Sequence, residues 1–398
     1  MISVEEALKI VDQNIFDFGT EMVPLSEAFH RILKEDWYAD RPLPPYDRVT
    51  MDGIAISYSA FQKGLKQFKI ESIAAAGSPQ KKLLDPSNCL EVMTGSILPI
   101  NVDTVIRYED VEIIDSTASL TVDTLREKQN VHFKGEDRKQ GDLLVSKNRK
   151  ICAAEIGVAA SIGKTDVLVA RNPKVMVIST GDELVEVNKQ PLAHQVRRSN
   201  VYTVLSKLKS IGINADSDHL NDDQEVIKLK LKTYLEQYDV LLLSGGVSKG
   251  KYDFLPEVLK SLQVQKLFHR VKQRPGKPFW LGKYKEQCMV FAFPGNPISS
   301  FMCMNRYFLP WLEKSLTGKC PVKRYAVLGG DVNFKPDLDF FVEVSLAYSD
   351  TGQCIAHPKR GNGSGDLANL AEADAFLALP SGKNDFVGGE AYELFIYR

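Results

Sequence analysis

Three carboxylates stand where apolar runs of the chain break off: Glu183 in "STGDELVE" (179–186), Asp222 in "NDDQE" (221–225) and Asp253 in "SGGVSKGKYD" (244–253). Oxygen donors converging from several loops suit magnesium, which is held by a few carboxylates together with substrate phosphates. Each acid also fits an ordinary structural part. Asp182 could cap a helix after its strand, Asp222 and Asp223 with Glu225 could form a capping box, and Asp253 could cap a helix beginning at Phe254. The complementary charge lies in "VKQRPGKPFW" (271–280), where Lys272, Arg274 and Lys277 surround a Pro-Gly turn and prolines fix the backbone about Lys277. "SGGVS" (244–248) and "PGNPISS" (294–300) could present backbone amides to an anion. In the second, Pro294, Gly295, Asn296 and Pro297 make a rigid strand-to-helix turn, and such preorganisation lowers the ordering cost of binding.

The stretch from Gly245 to Lys251 also fits the G-x-x-x-x-G-K frame of a phosphate loop. Tyr252 then stands where a Ser or Thr hydroxyl would hold magnesium, so nucleotide hydrolysis of that kind is the weaker reading. Upstream, Asp52 in "MDG" (51–53) and Thr94 in "MTGS" (93–96) mark turns that either shape the chain or meet a ligand. Their spacing does not bring them to the other loops.

The elements that must position these residues follow from hydrophobic pattern. Between about 172 and 316, short apolar runs at 174–180, 213–220, 239–245, 266–273 and 288–293 alternate with helical periods at 199–211, 222–237, 253–263 and 297–315, the pattern of a parallel sheet flanked by helices. In an open sheet of this kind ligands bind beyond the carboxyl ends of the strands, where the loops above lie. Residues 41–137 alternate in the manner of strands and read as a separate β-rich domain. Residues 21–40 and 138–171 read as a small α+β connector, 1–20 and 172–318 as the central doubly wound α/β domain, and 319–398 as a C-terminal β-barrel.

Composition bounds the function classes. A chain of 398 residues, 44% hydrophobic and 25% charged, has material for two to four cores. With 50 basic against 51 acidic residues it has no global field for nucleic acid or an anionic membrane. The six cysteines are scattered with no C-x-x-C pair, which argues for a reducing compartment and against a zinc ribbon. The opening "MISVEEALKIVDQNIF" reads as an amphipathic helix capped by Ser3, with acids where a signal peptide would be basic. No apolar run approaches the roughly 20 residues of a membrane span. A cytoplasmic protein is the expectation.

The motifs "PLPPYDRVTMDGIA", "VMTGSILP", "DTVIRYEDV", "GEDRKQGDLL", "STGDEL", "SGGVSKGKYDF", "RPGKPFWLG", "FPGNPISS" and "GNGSGDLANLAEADAFLALP" occur in the order found in the molybdopterin molybdenumtransferase (molybdenum insertase) family, which the chain resembles from end to end; the fusion protein gephyrin contains a similar module. The resemblance implies magnesium-dependent cleavage of adenylylated molybdopterin in the presence of molybdate, release of AMP and transfer of molybdenum to the pterin dithiolene. It implies a homodimer in which the β-rich domain of one subunit faces the cleft of the other, so that Asp52 and Thr94 act across the interface. It also implies functional contact with a molybdopterin adenylyltransferase and with molybdoenzyme apoproteins.

Carried over by motif, the resemblance gives Glu183, Asp222 and Asp253 as magnesium ligands, with Lys277 and Asp52 completing the catalytic set. For substrate binding it gives Thr94, Ser179, Thr180, Gly181, Ser244, Gly245, Gly246, Ser248 and Arg274, together with Pro294, Gly295, Asn296, Pro297 and Ser299. The chain departs from the family pattern at Lys249 and Lys251, at Arg198 where an Asp is common, and at His132 where an Arg is frequent. These changes imply a more cationic cleft and leave a second reading, a specialised or non-catalytic paralogue that serves as a molybdopterin-binding scaffold.

Overall fold

Ser3 opens the first helix, α1 (Val4–Gln13), through a reciprocal capping box in which its hydroxyl accepts from the Glu6 amide at 3.1 Å while the Glu6 carboxylate accepts from the Ser3 amide at 2.8 Å. In this computed structural model, residues 1–247, 254–359, 361, 363 and 365–398 are described. The chain divides into two units, one formed by Met1–Lys34, Asn148–Cys152 and Asp166–Arg398 and the other by Glu35–Lys147 and Ala153–Thr165.

The second unit is built on six strands, β1 (Gly53–Ile56), β2 (Gln67–Ala74), β3 (Cys89–Val92), β4 (Thr104–Arg107), β5 (Val111–Ile114) and β6 (Thr117–Leu120), ordered β4-β1-β3-β2-β6-β5. Every residue of β1 is buried, with Ile54 and Ile56 packed on Ile106 and Phe68 on one side and Ala55 on Leu90 and Val105 on the other. Gly53 explains itself structurally, because a Cβ there would stand 1.9 Å from the Ile106 carbonyl oxygen. The glycine of the "MDG" motif is the residue that lets β1 and β4 pair.

The first unit carries the α/β sheet. Its strands are β7 (Val175–Thr180), β8 (Ala215–Leu220), β9 (Val240–Ser244), β10 (Gln265–His269), β11 (Trp280–Tyr284) and β12 (Cys288–Phe293), in the order β8-β7-β9-β12-β11-β10. The four strands β8, β7, β9 and β12 are parallel, and β7, β9 and β12 are buried along their whole length, as strands covered on both faces must be. The remaining two differ from the sequence expectation. The run at 266–273 forms β10 only as far as His269, and β11, which the apolar pattern does not announce, pairs antiparallel with both β10 and β12. The reason is connection length, since residues 285–287 join β11 to β12 and so short a loop permits only an antiparallel pair.

Helices α2 (Ser199–Ser210), α3 (Gln224–Gln237) and α4 (Leu255–Ser261) follow the pattern. The expected single helix at 297–315 is interrupted. α5 (Pro297–Cys303) passes into a π-turn (Met304–Phe308) before α6 (Leu309–Thr317), because Pro310 has no amide to give the Arg306 carbonyl. Trp311 on α6 is fully buried against Phe16, Phe18 and Phe291 and donates its indole N–H to the Asn14 carbonyl at 2.7 Å, tying the end of α1 to the sheet.

The C-terminal strands β13 (Arg324–Leu328), β14 (Asp339–Tyr348), β15 (Cys354–Pro358), β16 (Ala375–Leu379) and β17 (Ala391–Ile396) close as β14-β15-β13-β17-β16-β14, a five-stranded barrel, with a short helix, α7 (Leu367–Glu372), beside it. Along β14, Val342 and Val344 fill the barrel core while Phe341 points outward into the core of the α/β body. The fold is thus multidomain α/β with a β-rich region and a terminal barrel, as the sequence implies. Cys288 and Cys303 are buried free thiols whose burial pushes their titration upward. Among the described residues no helix is long and apolar enough to cross a membrane.

The closeness of β1 and β4 is testable. Replacement Gly53→Ala forces the pair apart and is expected to lower the unfolding free energy by about 2–3 kcal/mol, read as a fall in the urea midpoint.

Candidate active site

The parallel register sets Ser179 of β7 opposite Ser244 of β9, and Ser244 opposite Phe293 of β12. Three strands therefore end at one level, and "STGDE", "SGG" and "PGNP" leave the sheet side by side. Asn200, in the first turn of α2, fastens two of them, donating from Nδ2 to the Ser244 hydroxyl at 2.8 Å and to the Gly295 carbonyl at 2.7 Å. Gly245 has φ +103°, and a Cβ there would lie 2.9 Å from the Thr180 carbonyl oxygen and 3.0 Å from its hydroxyl, so the loop packs directly on the end of β7. The Gly245 amide donates to the Phe293 carbonyl at 3.2 Å and is not available to an anion, which narrows the expected "SGGVS" nest. Thr180 is buried, and its hydroxyl has no hydrogen-bond partner among the described residues.

The acids are placed unequally. No helix follows β7, so Asp182 caps none; the chain continues through the two-residue strand Leu184–Val185, which pairs with Val196–Arg197. Asp182 instead accepts from the Asp222 amide at 3.1 Å, joining the loops that follow β7 and β8. Glu183 is exposed with its carboxylate curled against Gly181, and Asp222 is half-buried. Asp223, not Asp222, caps α3, accepting from the Glu225 and Val226 amides at 3.0 Å each, and Glu225 makes no reciprocal box. Among the described residues no three His, Cys, Asp or Glu side chains gather as a metal site. Asp253, the third expected ligand, lies outside the described residues, as do Ser248, Lys249, Lys251 and Tyr252 and with them most of the phosphate-loop frame.

The cationic loop is held from beneath. Gln273 and Arg274 pair with Asp339 and Phe340 of β14, and the Arg274–Pro275 peptide is cis. Gln273 is fully buried; it accepts from the Tyr307 hydroxyl on the π-turn and donates to the Gly276 carbonyl at 3.0 Å. The Lys277 carbonyl accepts from the Val271 amide at 3.0 Å. Lys277 and Arg274 are exposed along a cavity of about 960 Å³ that is also lined by Asn296, Ser299 and the outer wall of the barrel. The sequence-predicted Lys277, Arg274, Asn296 and Ser299 thus share one cavity.

Asp52 and Thr94 belong to the second unit and meet each other: the Thr94 amide donates to Asp52 Oδ1 at 2.6 Å. Amide and hydroxyl bonds from Thr94 hold the Asp52 carboxyl below the usual carboxylate range.

Family models match three consecutive regions: MoeA N-terminal region (domain I and II) over 2–163, a probable molybdopterin binding domain over 176–314 and MoeA C-terminal region (domain IV) over 325–394. A molybdopterin molybdenumtransferase of Synechocystis sp. is 40% identical over 400 residues, which span 100% of both chains. This chain belongs to the molybdopterin molybdenumtransferase family. A second member, from Staphylococcus epidermidis, is 31% identical over 411 residues covering 99% of this chain and 95% of its own. The solved structure of the molybdopterin biosynthesis MoeA protein from Pyrococcus horikosii superposes with a TM-score of 0.80 at 28% identity, covering 100% of this chain and 99% of that one.

Two departures from the family pattern are absorbed locally. Arg198, buried, is paired with Glu186, and His132 lies between Arg48 at 3.1 Å and Asp137 at 3.0 Å. Neither adds unpaired positive charge among the described residues, and Lys249 and Lys251, the other two departures, lie outside them. Sequence reasoning missed four residues that arrange the loops: Asn200, Gln273, Tyr307 and His219, whose ring nitrogen stands 3.0 Å from the Ser179 hydroxyl. Only the position of Asn200 at the start of a helix after a strand could have marked it.

Truncating the Asn200 clasp tests the arrangement. Asn200→Ala is expected to cost about 1–2 kcal/mol in chemical denaturation, because the Gly295 carbonyl loses its partner.

Proposed function

We infer that the chain is a molybdopterin molybdenumtransferase, inserting molybdenum during molybdenum cofactor biosynthesis. The finer reading is that it takes adenylylated molybdopterin and molybdate, cleaves the phosphoanhydride and releases AMP. What supports it is the cavity in which Arg274 and Lys277 face Asn296 and Ser299, next to three level strand ends.

The chemistry follows from charge. The anhydride carries negative oxygens that repel an incoming water or molybdate oxygen, and the AMP that leaves is itself an anion. Arg274 and Lys277 would hold the tetrahedral anions and offset that repulsion, most strongly as charge grows on the departing phosphate. Thr180, buried beneath Gly245 and Gly246, would support the loop crest on which the ligand rests. Glu183 and Asp222 fit magnesium by donor type, two carboxylates leaving room for phosphate oxygens and water, and Asp253 would complete the set. When bound, the metal would neutralise phosphate charge.

In this reading the unit works as a homodimer, with Asp52, kept ionised by Thr94, reaching the partner subunit's cleft. The chain would act as four domains (1–20 with 172–318, 21–40 with 138–171, 41–137 and 319–398) in the cytoplasm. It would receive substrate from a molybdopterin adenylyltransferase and deliver product to molybdoenzyme apoproteins.

Purified protein given adenylylated molybdopterin is expected to release AMP only when both magnesium and molybdate are present, as followed by chromatography. Glu183→Gln and Lys277→Met should each slow release by about 100-fold or more. Full molybdoenzyme activity in cells carrying either variant would favour the scaffold reading instead.

A further inference from the structure

The cavity that Arg274 and Lys277 line has a second wall, made by the barrel, and one carboxyl of that wall has no part in the reading above. Glu343 lies on β14. Side chains alternate along a strand, and since Val342 and Val344 fill the barrel core, Glu343 shares the outward face with Phe341 and lines the cavity. Its backbone carbonyl accepts from the Lys359 amide at 2.8 Å, and across the ladder it stands opposite Phe376.

Around it, among the described residues, Asp366 lies at the start of α7, His357 and Lys359 come from β15 and its end, and Tyr397 follows β17. Arg398 and Asp374 flank Tyr397, and Arg274, Lys277 and Asp331 line other parts of the same cavity. A half-buried carboxyl is thus set into the wall of a cavity whose lysines and arginine are suited to anions. An ionised carboxylate and a dianion sharing one cavity repel, and the repulsion is relieved when the carboxyl takes a proton.

We propose that Glu343 makes oxyanion loading of this cavity proton-coupled, taking up one proton as the anion enters and then donating a hydrogen bond to it. The inference rests on the reading that the cavity takes molybdate, and it adds a specificity rule. The site accepts a fully ionised tetrahedral anion only by first becoming a donor, whereas a monohydrogen anion can bring its own proton to an ionised Glu343. Burial and the nearby Asp366 push the Glu343 carboxyl upward even without ligand, which brings the coupling toward neutral pH.

The sign follows from linkage. The bound anion raises the carboxyl further, so affinity is highest below the free-protein titration and falls as pH rises, by about tenfold per unit, until the complex itself loses the proton.

The experiment is calorimetric titration of the full chain with molybdate in two buffers of different ionisation enthalpy, between about pH 6 and 9, which counts protons taken up on binding. The wild-type protein is expected to take up one proton per anion within this range. Glu343→Gln should bind with no proton exchange and near-constant affinity, and Asp331→Asn should behave as wild type. Molybdate binding without proton uptake in the wild type overturns this inference and leaves the proposed function standing. Uptake that persists in Glu343→Gln assigns the proton to another group, such as His357, and likewise overturns it. Failure of the wild type to bind molybdate at any pH removes the reading of the cavity itself.

Discussion

The site depends on the parallel ladder that brings β7, β9 and β12 to an end at the same height. Parallel strands cannot be joined by tight turns, so the chain leaves each by a longer helical connection, and the loops that begin those connections are left together at one edge. Here that edge collects "STGDE", "SGG" and "PGNP", and Asn200 ties two of them with bonds to Ser244 and Gly295. Without the common register, residues separated by more than a hundred positions in sequence would have no reason to meet.

A second constraint holds the cationic loop. "QRPGKP" is gripped between the barrel strand β14 and the π-turn, through the pairing of Arg274 with Phe340 and the Tyr307–Gln273–Gly276 chain of hydrogen bonds. A fully buried glutamine must satisfy both ends of its amide, and here doing so fixes the turn from which Lys277 projects. The π-turn is therefore more than a defect introduced by Pro310, because it carries the tyrosine that serves this network. Such interruptions of helices recur at functional sites for the same geometric reason.

Much of the fold was legible. The apolar runs at β7, β9 and β12, the Ser3 cap and the terminal barrel all stood out by period or composition, and the sequence put its candidate residues in the loops at the strand ends. What was not legible depended on partners distant in sequence. β11 looks like the tail of "RPGKPFWLG" until its hairpin with β12 is formed. Asp223 and Asp222 compete for one cap, and only geometry awards it to Asp223. Asn200, Gln273 and Glu343 sit in unremarkable contexts and acquire roles only when the sheet, the π-turn and the barrel surround them. The glycine of the "MDG" motif was likewise not legible from sequence, since its reason is the crowding of β1 against the Ile106 carbonyl of β4.

The central claim is that one site, formed by the strand ends and the adjoining cationic cavity, holds both molybdate and the nucleotide leaving group. A crystal soaked with molybdate and AMP tests it most directly, through anomalous scattering at the molybdenum edge. Insertion at this site predicts a molybdenum peak within contact of Lys277 in the cavity and AMP phosphate at the crest of β7, β9 and β12. Molybdenum found only at surface lysines, with the AMP phosphate remote from Thr180 and Gly246, would contradict it.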